Sequence, residues 1–365
     1  MNGVAAAAVE GRSSGPSALG QRLRDFGEAV TPALAALLIS VVLFSAAVAL
    51  AGFSPVEVWG LIFEGGFGSA FAWQNSLQRA SPLILTGLAV ALPAQAGRVI
   101  IGAEGALVLG GLAAAALGDA MAALSPAVVW PAMALAGMLA GGVWIAIAGW
   151  LREKREVNET IASLLLSFIA IALFHQAVET VLRDPASLNK PSTKPLPDAL
   201  MLPNLPGLDV HWGLAVGIVV ALLAWAVMRF TPLGLALRVA GGNPRTALGV
   251  GLPVAALTIG ACAAGGACAG LAGAIEVAAV QGSASSSLIA GYGYSGILIA
   301  FAAPFSPAGV IPVALLVGGI ASSGSLLQRR LGLPDAAVTV LLGFAFVALI
   351  GCETLRGRSF WQGRR

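Results

Sequence analysis

Ten long apolar segments constrain most strongly what this chain can fold into. They lie at 30–51, 79–96, 103–121, 128–150, 159–182, 213–230, 251–280, 288–303, 307–327 and 335–353. A helix needs roughly 20 apolar residues to cross a bilayer. Only 10% of the 365 residues are charged, against roughly 25% in soluble domains, and mean hydropathy is +0.90. The sequence therefore predicts an all-α, polytopic integral membrane protein with about ten transmembrane helices.

The polar connections predict how the chain is divided and oriented. Residues 1–29 are rich in Ala, Gly and Ser and are expected to form a disordered cytosolic leader, 30–353 the transmembrane domain, and 354–365 a cytosolic tail. An even number of spans puts both termini on one side. With the N-terminus inside, the 20 Lys and Arg residues divide 14 to 6 in favour of the inner connections, as the positive-inside rule requires. Both termini and the basic inner connections are therefore expected on the cytosolic side of the membrane.

Sequence motifs for nucleotide hydrolysis, metal binding and catalysis are missing. No lysine stands in the Gly-Lys-[Ser/Thr] context of a phosphate-binding loop. The three cysteines have no CxxC or Cys/His spacing, so no metal site is expected. Basic residues at span ends explain the net charge of +3, which leaves no reason to expect a nucleic-acid partner. The chain is expected to be a transport subunit without a cofactor rather than an enzyme.

Two regions depart from a simple series of spans. The outer connection 183–212 contains six prolines, which exclude a regular helix or a central strand. A loop of this length either docks an external partner or is a simple tether. If one of the two short segments between 288 and 327 is re-entrant, the assignment of Arg329 and Arg330 to the outer side changes.

The connection 231–250 has the clearest local signals outside the spans. Thr231 before Pro232 is typical of a capped helix start, and Gly241-Gly242 is expected to end that helix in left-handed geometry. Asn243-Pro244 starts a second helix by the same logic. One face of the first helix is apolar and comprises Leu233, Ala236, Leu237 and Ala240. The segment is therefore either a helix shaped to enter a groove on another protein or an ordinary interfacial linker.

Polar residues in and near the spans are candidates for a solute pathway, because such groups are costly at membrane depth. Glu104 either lines the pathway or caps a helix N-terminus. Glu276 either pairs with another span or lines the pathway. Asn158 is explained most simply as the N-cap of a span. Gln95 and Gln281 either hydrogen-bond a hydroxylated solute or belong to span ends and a flexible outer loop.

Four stretches resemble one transport family. They are Gly102-Ala-Glu-Gly-Ala-Leu-Val-Leu-Gly, Asn158-Glu-Thr-Ile-Ala-Ser-Leu-Leu-Leu-Ser-Phe-Ile-Ala, 231–251, and Gly291-Tyr-Gly-Tyr-Ser-Gly-Ile-Leu-Ile-Ala-Phe. In order and spacing they are similar to permease subunits of bacterial ABC importers in the branched-chain amino acid, ribose and nucleoside superfamily, and most like the nucleoside (simple-sugar) branch. One element differs, since the family commonly has Phe-Asn-Ile where this chain has Val99-Ile100-Ile101.

The resemblance implies a permease that moves nucleosides or a related simple sugar by alternating access. A separate cytosolic ABC ATPase would bind ATP and dock on the 231–250 segment. The implied coupling residues are Leu233, Gly234, Leu237, Arg238, Gly241, Asn243, Pro244 and Arg245. The other implied partners are a second, different permease subunit, an extracytoplasmic solute-binding protein and the surrounding lipid bilayer. The resemblance implies that this bilayer is the cytoplasmic (inner) membrane of a bacterium.

Two other functions compete with this expectation. An ion-coupled secondary transporter of a small polar solute needs buried acids arranged as a relay, and the spans offer Glu104 and Glu276. A membrane enzyme needs a nucleophile, an acid–base set or a metal, and His175 and His211 stand apart without one. The sequence favours an ABC permease subunit over both.

Overall fold

The computed structural model describes residues 35–187 and 189–357, and its regular structure within these ranges is helical. The predicted leader 1–29 and residues 358–365 of the predicted tail lie outside the described residues. Many large apolar side chains are exposed on the outer surfaces of the long helices, as in a protein surrounded by lipid. The prediction of an all-α, polytopic membrane protein is confirmed.

Fourteen α-helices follow one another within the described ranges. The first seven are α1 (Ala35–Leu50), α2 (Pro55–Phe67), α3 (Ala70–Gln95), α4 (Ala103–Ala120), α5 (Pro126–Arg155), α6 (Glu159–Glu179) and α7 (Gly213–Phe230). The other seven are α8 (Pro232–Gly242), α9 (Pro244–Gly249), α10 (Val254–Glu276), α11 (Tyr292–Ala302), α12 (Val310–Ser322), α13 (Gly324–Leu331) and α14 (Ala336–Gly357). A π-helical turn, Val277–Gln281, continues α10.

The structure supports fewer membrane spans than the sequence predicts. In the described part of the chain, seven helical segments are long and apolar enough to cross a membrane, or eight if α1 and α2 form one bent span. The chain bends by 118° between these two helices. The apolar helices Ser286–Ala302 and Ala336–Cys352 are shorter. A count of about ten is therefore not supported, because a hydropathy pattern registers apolar residues but not the turns that divide them.

The segment predicted to span at 288–303 illustrates this difference. Its α-helical part, α11, has 11 residues and rises about 16 Å, roughly half of a hydrocarbon core. It starts inside the bundle, where Gly293 packs on the backbone of Glu104. Pro304 and Phe305 then turn the chain with positive φ angles. α11 is therefore a half-length helix.

Glycines let α5 and α10 pack in backbone contact. A Cβ added to Gly137 would lie 2.7 Å from the carbonyl oxygen of Gly270, and one added to Gly141 would collide with Gly266. On each helix these glycines are four residues apart, the small-xxx-small spacing of membrane helix pairs. Together with α3 and α4, the two helices form the buried centre of the bundle.

One end of the bundle, called here the α8 face, carries α8 and α9. Leu237 of α8 packs against Ala96, just after α3, and against Ala261 in the first half of α10. The short helices therefore lie across the ends of two central spans.

The other end, called here the loop face, is covered by the connection 183–212. Thr193 N donates to Ala284 O at 2.9 Å, and Leu202 N donates to Ala278 O at 2.7 Å. The connection is thus bound to the chain that follows α10. α3 runs from the loop face to the α8 face, and α10 runs back.

Candidate functional site

The two short helices at the α8 face begin as their sequences predict. Thr231 Oγ1 accepts the N–H of Gly234 at 3.4 Å. Asn243 Oδ1 accepts the N–H groups of Arg245 and Thr246, each at 3.1 Å. Each helix has proline at its first position. The predicted starts of α8 and α9 are confirmed.

The predicted left-handed end of α8 is wrong. Gly241 and Gly242 stay in the helix, and Asn243 follows with a φ of −150°. Asn243 is the C-cap of α8 and also the N-cap of α9. An N-cap residue needs an extended backbone, so the requirement of the second helix overrides the glycine signal.

Only part of the predicted apolar face of α8 is buried. Leu237 and Ala240 pack on the bundle, whereas Leu233 is 50% exposed. Leu235, which lies outside the predicted face, is 58% exposed. Leu248 of α9 is 61% exposed. We call the three exposed leucines the coupling surface. Exposed apolar groups beside charged residues are typical of a protein–protein contact.

Backbone contact joins α8 to the end of α3. Gly97 has a φ of +69°, and a Cβ there would lie 2.8 Å from Gly241 O. A Cβ added to Gly241 would lie 2.6 Å from Gln95 O. Arg238 Nη1 donates to Met228 O near the end of α7. α8 is thus held against both α3 and α7, and a movement of α8 must displace these helix ends.

The remaining coupling candidates differ in their surroundings. Gly234 is buried against the backbone of Met228, where a Cβ would collide. Glycine at this position therefore lets α8 start directly beside the end of α7. Pro244 and Arg245 are exposed at the start of α9.

A group of ion pairs lies beside the contact of α8 with α3. Arg98 Nη2 lies 3.0 Å from Glu153 Oε1, and Arg98 Nη1 lies 3.9 Å from Glu159 Oε1. Arg152 Nε lies 3.3 Å from Glu159 Oε2. The Arg98, Glu153 and Glu159 side chains are 12–15% exposed, so water screens their attraction less than at an open surface. No sequence pattern joins Arg98 to a partner 55 residues away, and sequence reasoning missed this cluster.

Two of the predicted pathway residues hold helix ends. Asn158 Oδ1 accepts the N–H groups of Thr160 at 2.9 Å and Ile161 at 3.1 Å, which confirms the predicted N-cap of α6. Gln95 Nε2 donates to Phe305 O at 2.9 Å. That hydrogen bond ties the end of α3 to the turn after α11.

Glu104 caps a helix N-terminus. The side chain is fully buried, Oε1 accepts the N–H of Gly291 at 2.8 Å, and Oε2 accepts the N–H of Gly293 at 2.6 Å. These donors belong to the first turn of α11, whose dipole also favours a negative charge there. Of the two interpretations of Glu104, the structure shows the cap.

Glu276 is the second buried carboxylate and has no such donors. It ends α10, is 3% exposed, and makes no hydrogen bond or ion pair with the described residues. The positive charge that acts on it is Arg79 of α3. Arg79 is half-buried and likewise lacks a hydrogen-bonded partner in the described ranges.

The position of Arg79 corrects the predicted start of the second span. The hydropathy pattern begins that span at 79 and leaves Arg79 in an outer connection. In the structure α3 begins at Ala70, so Arg79 lies about 14 Å along the helix. Four polar residues lower the hydropathy of this first part of α3, so a hydropathy plot does not register it as part of a span. They are Gln74, Asn75, Ser76 and Gln78.

Gln281 lies at the loop face, in the π-helical turn after α10. Its Oε1 accepts the hydroxyl of Ser287 at 2.8 Å, and the hydroxyls of Ser285 and Ser287 lie 2.7 Å apart. The outer loop predicted to be flexible is therefore held by internal hydrogen bonds between Gln281 and the serines that follow it.

The loop 183–212 covers the ends of α3 and α10. Gln78 Nε2 donates to Asp209 O at 2.5 Å. His211 is 2% exposed, lies beside Ile275, and neither ring nitrogen has a hydrogen-bond partner within the described residues. Burial lowers the pKa of His211 below its ordinary value. The loop is therefore a packed cover rather than a loose tether.

A bundle of long apolar helices with buried polar groups, and with two capped short helices across one end, defines a polytopic membrane protein whose architecture suits transport. The comparison with known families agrees with this class. Residues 73–350 match the family described as branched-chain amino acid transport system, permease component. The chain belongs to this family and is a permease subunit of an ABC transporter.

Individual relatives cover most of the chain. It is 36% identical over 343 residues to the glucose ABC transporter permease of Haloferax volcanii, which is 90% of this chain and 88% of that one. It is 28% identical over 335 residues to a guanosine ABC transporter permease of Bacillus subtilis (87% and 93%), and 23% identical over 316 residues to a second one (80% and 96%). Such proteins are transport components, so the chain is a transport subunit rather than an enzyme.

Proposed function

We propose that this chain imports a nucleoside or a related simple sugar by alternating access, driven by an ATPase on a separate chain. The observation that carries the proposal is the geometry of α8. It is capped, joined by backbone contact to α3 and α7, and exposed on the coupling surface. Closure of the ATPase would move α8 as a rigid lever and rearrange the spans. The relatives named for glucose and guanosine support the substrate class.

The partners follow from the two faces. The ATPase docks on the coupling surface and binds the ATP, so this chain needs no cofactor. A solute-binding protein docks on the loop face, through the packed loop 183–212. A second, different permease completes the pathway, and the two guanosine permeases of Bacillus subtilis support such a pair.

We place the α8 face in the cytosol, together with both termini. The Lys and Arg distribution favours that side. Val48 near the end of α1 packs in one cluster with Leu333 and Val338 near the start of α14. This cluster adjoins α12, whose Ser322 hydroxyl lies 3.0 Å from that of Ser76 near the start of α3. The outer ends of α1 and α14 therefore meet at the loop face, and their other ends point to the cytosol.

An ion-coupled transporter fits this arrangement less well. Among the described residues the buried carboxylates are Glu104 and Glu276. Both oxygens of Glu104 accept backbone hydrogen bonds, which leaves Glu276 as a single acid rather than a relay.

Purification from the native membrane tests the proposal. The tagged chain in mild detergent should bring down an ABC ATPase and a second permease, identified by mass spectrometry. Cells that contain the complex should take up radiolabelled guanosine or glucose, and vanadate, an inhibitor of the ATPase, should stop the uptake. Ion-driven uptake by the purified chain alone in liposomes would overturn the proposal.

The coupling surface has its own test in Leu235→Glu. A carboxylate at this exposed position leaves the bundle core intact but places a charge in an apolar contact. We expect about tenfold less ATPase in the purified complex, at normal membrane levels of the chain. Leu208→Glu is the matched control, because Leu208 is 47% exposed on the loop face. Equal amounts of ATPase with both variants would argue against docking on α8.

A further inference from the structure

We infer that Arg79, Glu276 and Tyr292 form a binding site for vicinal hydroxyl groups of a neutral sugar or ribonucleoside, inside the bundle near the loop face. The inference rests on the proposed function, because it concerns the solute that this permease moves. The three residues come from α3, α10 and α11, and α3 packs against both of the other helices.

The packing of α3 against α10 puts Arg79 and Glu276 at the same depth. The two helices are antiparallel, and a Cβ at Gly265 would lie 2.5 Å from Ala89 O. Arg79 is ten residues before Ala89, and Ile275 is ten residues after Gly265. At 1.5 Å per residue both lie about 15 Å from this contact toward the loop face, so the next residue, Glu276, is level with Arg79.

α11 brings Tyr292 to the same region. Gly296 packs on the backbone of Thr86, because a Cβ built on this glycine would lie 2.6 Å from the Thr86 carbonyl oxygen. α11 runs parallel to α3, so Tyr292, four residues before Gly296, lies within about 5 Å of the depth of Arg79. Arg79, Glu276 and the helix-capping Glu104 are the charged groups near enough to act on the Tyr292 hydroxyl.

Within the described part of the chain, none of the three polar groups makes a hydrogen bond or an ion pair. Among the described residues, the ion pairs within 4.0 Å join other side chains. A gap of more than 4.0 Å therefore separates the Arg79 guanidinium from the Glu276 carboxylate. Unpaired charges at membrane depth are strongly unfavourable. Ionisable residues within membrane spans are for this reason candidates for a solute site.

Hydroxyl groups fit this gap. A guanidinium only donates hydrogen bonds, an ionised carboxylate only accepts them, and a hydroxyl does both. One hydroxyl of a vicinal pair can donate to Glu276 while its neighbour accepts from Arg79, and Tyr292 can bond either. A neutral solute brings no further charge to membrane depth, where charges are costly, and is therefore favoured over an anion. Sugars and ribonucleosides share this pair of hydroxyls.

The loop that covers the site is hydrogen-bonded to the turn that follows Glu276. Glu276 directly precedes the π-helical turn Val277–Gln281, and such turns are frequent at functional sites. This turn is bound to the loop 183–212 through Leu202 N and Ala278 O. A solute at Glu276 therefore acts next to the segment that has to open toward the loop face.

The test compares uptake in cells that contain the full complex. The probes are radiolabelled guanosine and 2′-deoxyguanosine, which lacks the ribose diol, and glucose and 2-deoxyglucose, which keeps only the diol at C3 and C4. The preferred pair of probes separates a ribonucleoside from a sugar. We expect Arg79→Gln and Glu276→Gln each to lower the maximal rate for the diol solute about tenfold. The preference for the diol over its deoxy analogue should fall toward one, because a defect that is only structural slows both solutes equally. Glu179→Gln and Arg183→Gln, exposed at the loop face, are the matched controls.

The outcomes separate the two proposals. If both variants keep the wild-type diol preference, the site is overturned, while vanadate-sensitive uptake by the wild type still supports the proposed function. If the wild type takes up neither guanosine nor glucose, the proposed substrate class fails, and the site assignment fails with it. Membrane levels and ATPase recovery of each variant show that the complex is assembled.

Discussion

Two buried glutamates show how far the role of a residue depends on its neighbours. Glu104 and Glu276 are both acids within apolar runs, and for each the sequence leaves open a pathway role beside a structural one. The structure gives Glu104 two backbone donors and gives Glu276 none. The start of α11, which makes this difference, is 187 residues from Glu104 in sequence. Local patterns contain no information about such a contact.

Glu104→Gln should lower the stability of the folded protein. The amide keeps one acceptor oxygen, and its NH₂ group would face a backbone N–H, so one buried donor loses its partner. The expected cost is about 1–3 kcal/mol, seen as a lower melting temperature of the purified protein in detergent. The control is Glu64→Gln, because Glu64 is exposed on α2. Equal melting temperatures for both variants would show that the cap contributes little.

His211 should make the protein less stable in mild acid. Burial lowers its pKa from 6.5 in the folded protein. As the pH falls below 6.5 the unfolded chain binds the proton first, so folding stability is lost from that pH downward. The loss of melting temperature between pH 7.5 and 5.5 should be smaller in His211→Gln than in the wild type. His175→Gln is the control, and an equal loss in all three proteins would contradict the assignment.

At the scale of elements, local signals fix where helices start but not how they end or pack. The caps at Thr231, Asn158 and Asn243 act within three residues, and all three are found as the sequence predicts. The end of α8 depends on the helix that follows. The half-length α11 depends on Glu104, and the position of α8 depends on glycines of α3. These features arise between elements and are therefore hidden from a local pattern.

Gly97→Ala tests the contact between α8 and α3. The added Cβ meets Gly241 O at 2.8 Å, and the positive φ adds strain. We expect the ATPase to remain bound and hydrolyse ATP, while uptake per ATP falls because α8 no longer sits on α3. Gly52→Ala is the control for backbone strain alone, because Gly52 has a φ of +87° and a Cβ added there would meet no neighbouring atom. Normal coupling in Gly97→Ala would show that this contact does not transmit the movement.

At the scale of the whole molecule, the proposed orientation predicts which residues can be labelled from each side. Lys190 is exposed on the loop face and Arg245 on the α8 face. In intact cells whose plasma membrane is directly accessible to the reagent, a membrane-impermeant maleimide should label Lys190→Cys but not Arg245→Cys. Inverted vesicles should give the reverse pattern. Cys352→Ala provides the background, because Cys262 and Cys268 are buried. Labelling of both positions from one side would contradict the orientation.

The sequence by itself determined that this chain is an all-helical membrane protein, and four stretches that resemble ABC permeases indicated its class. Apolar segment length, charge depletion and capping residues act within one turn or one span, and they need no partner to be recognised. The tertiary structure decided the number of long spans, the position of Arg79 within α3 and the different roles of Glu104 and Glu276. Each of these depends on contacts between segments distant in sequence, where one helix supplies the donor, the charge or the space that another requires.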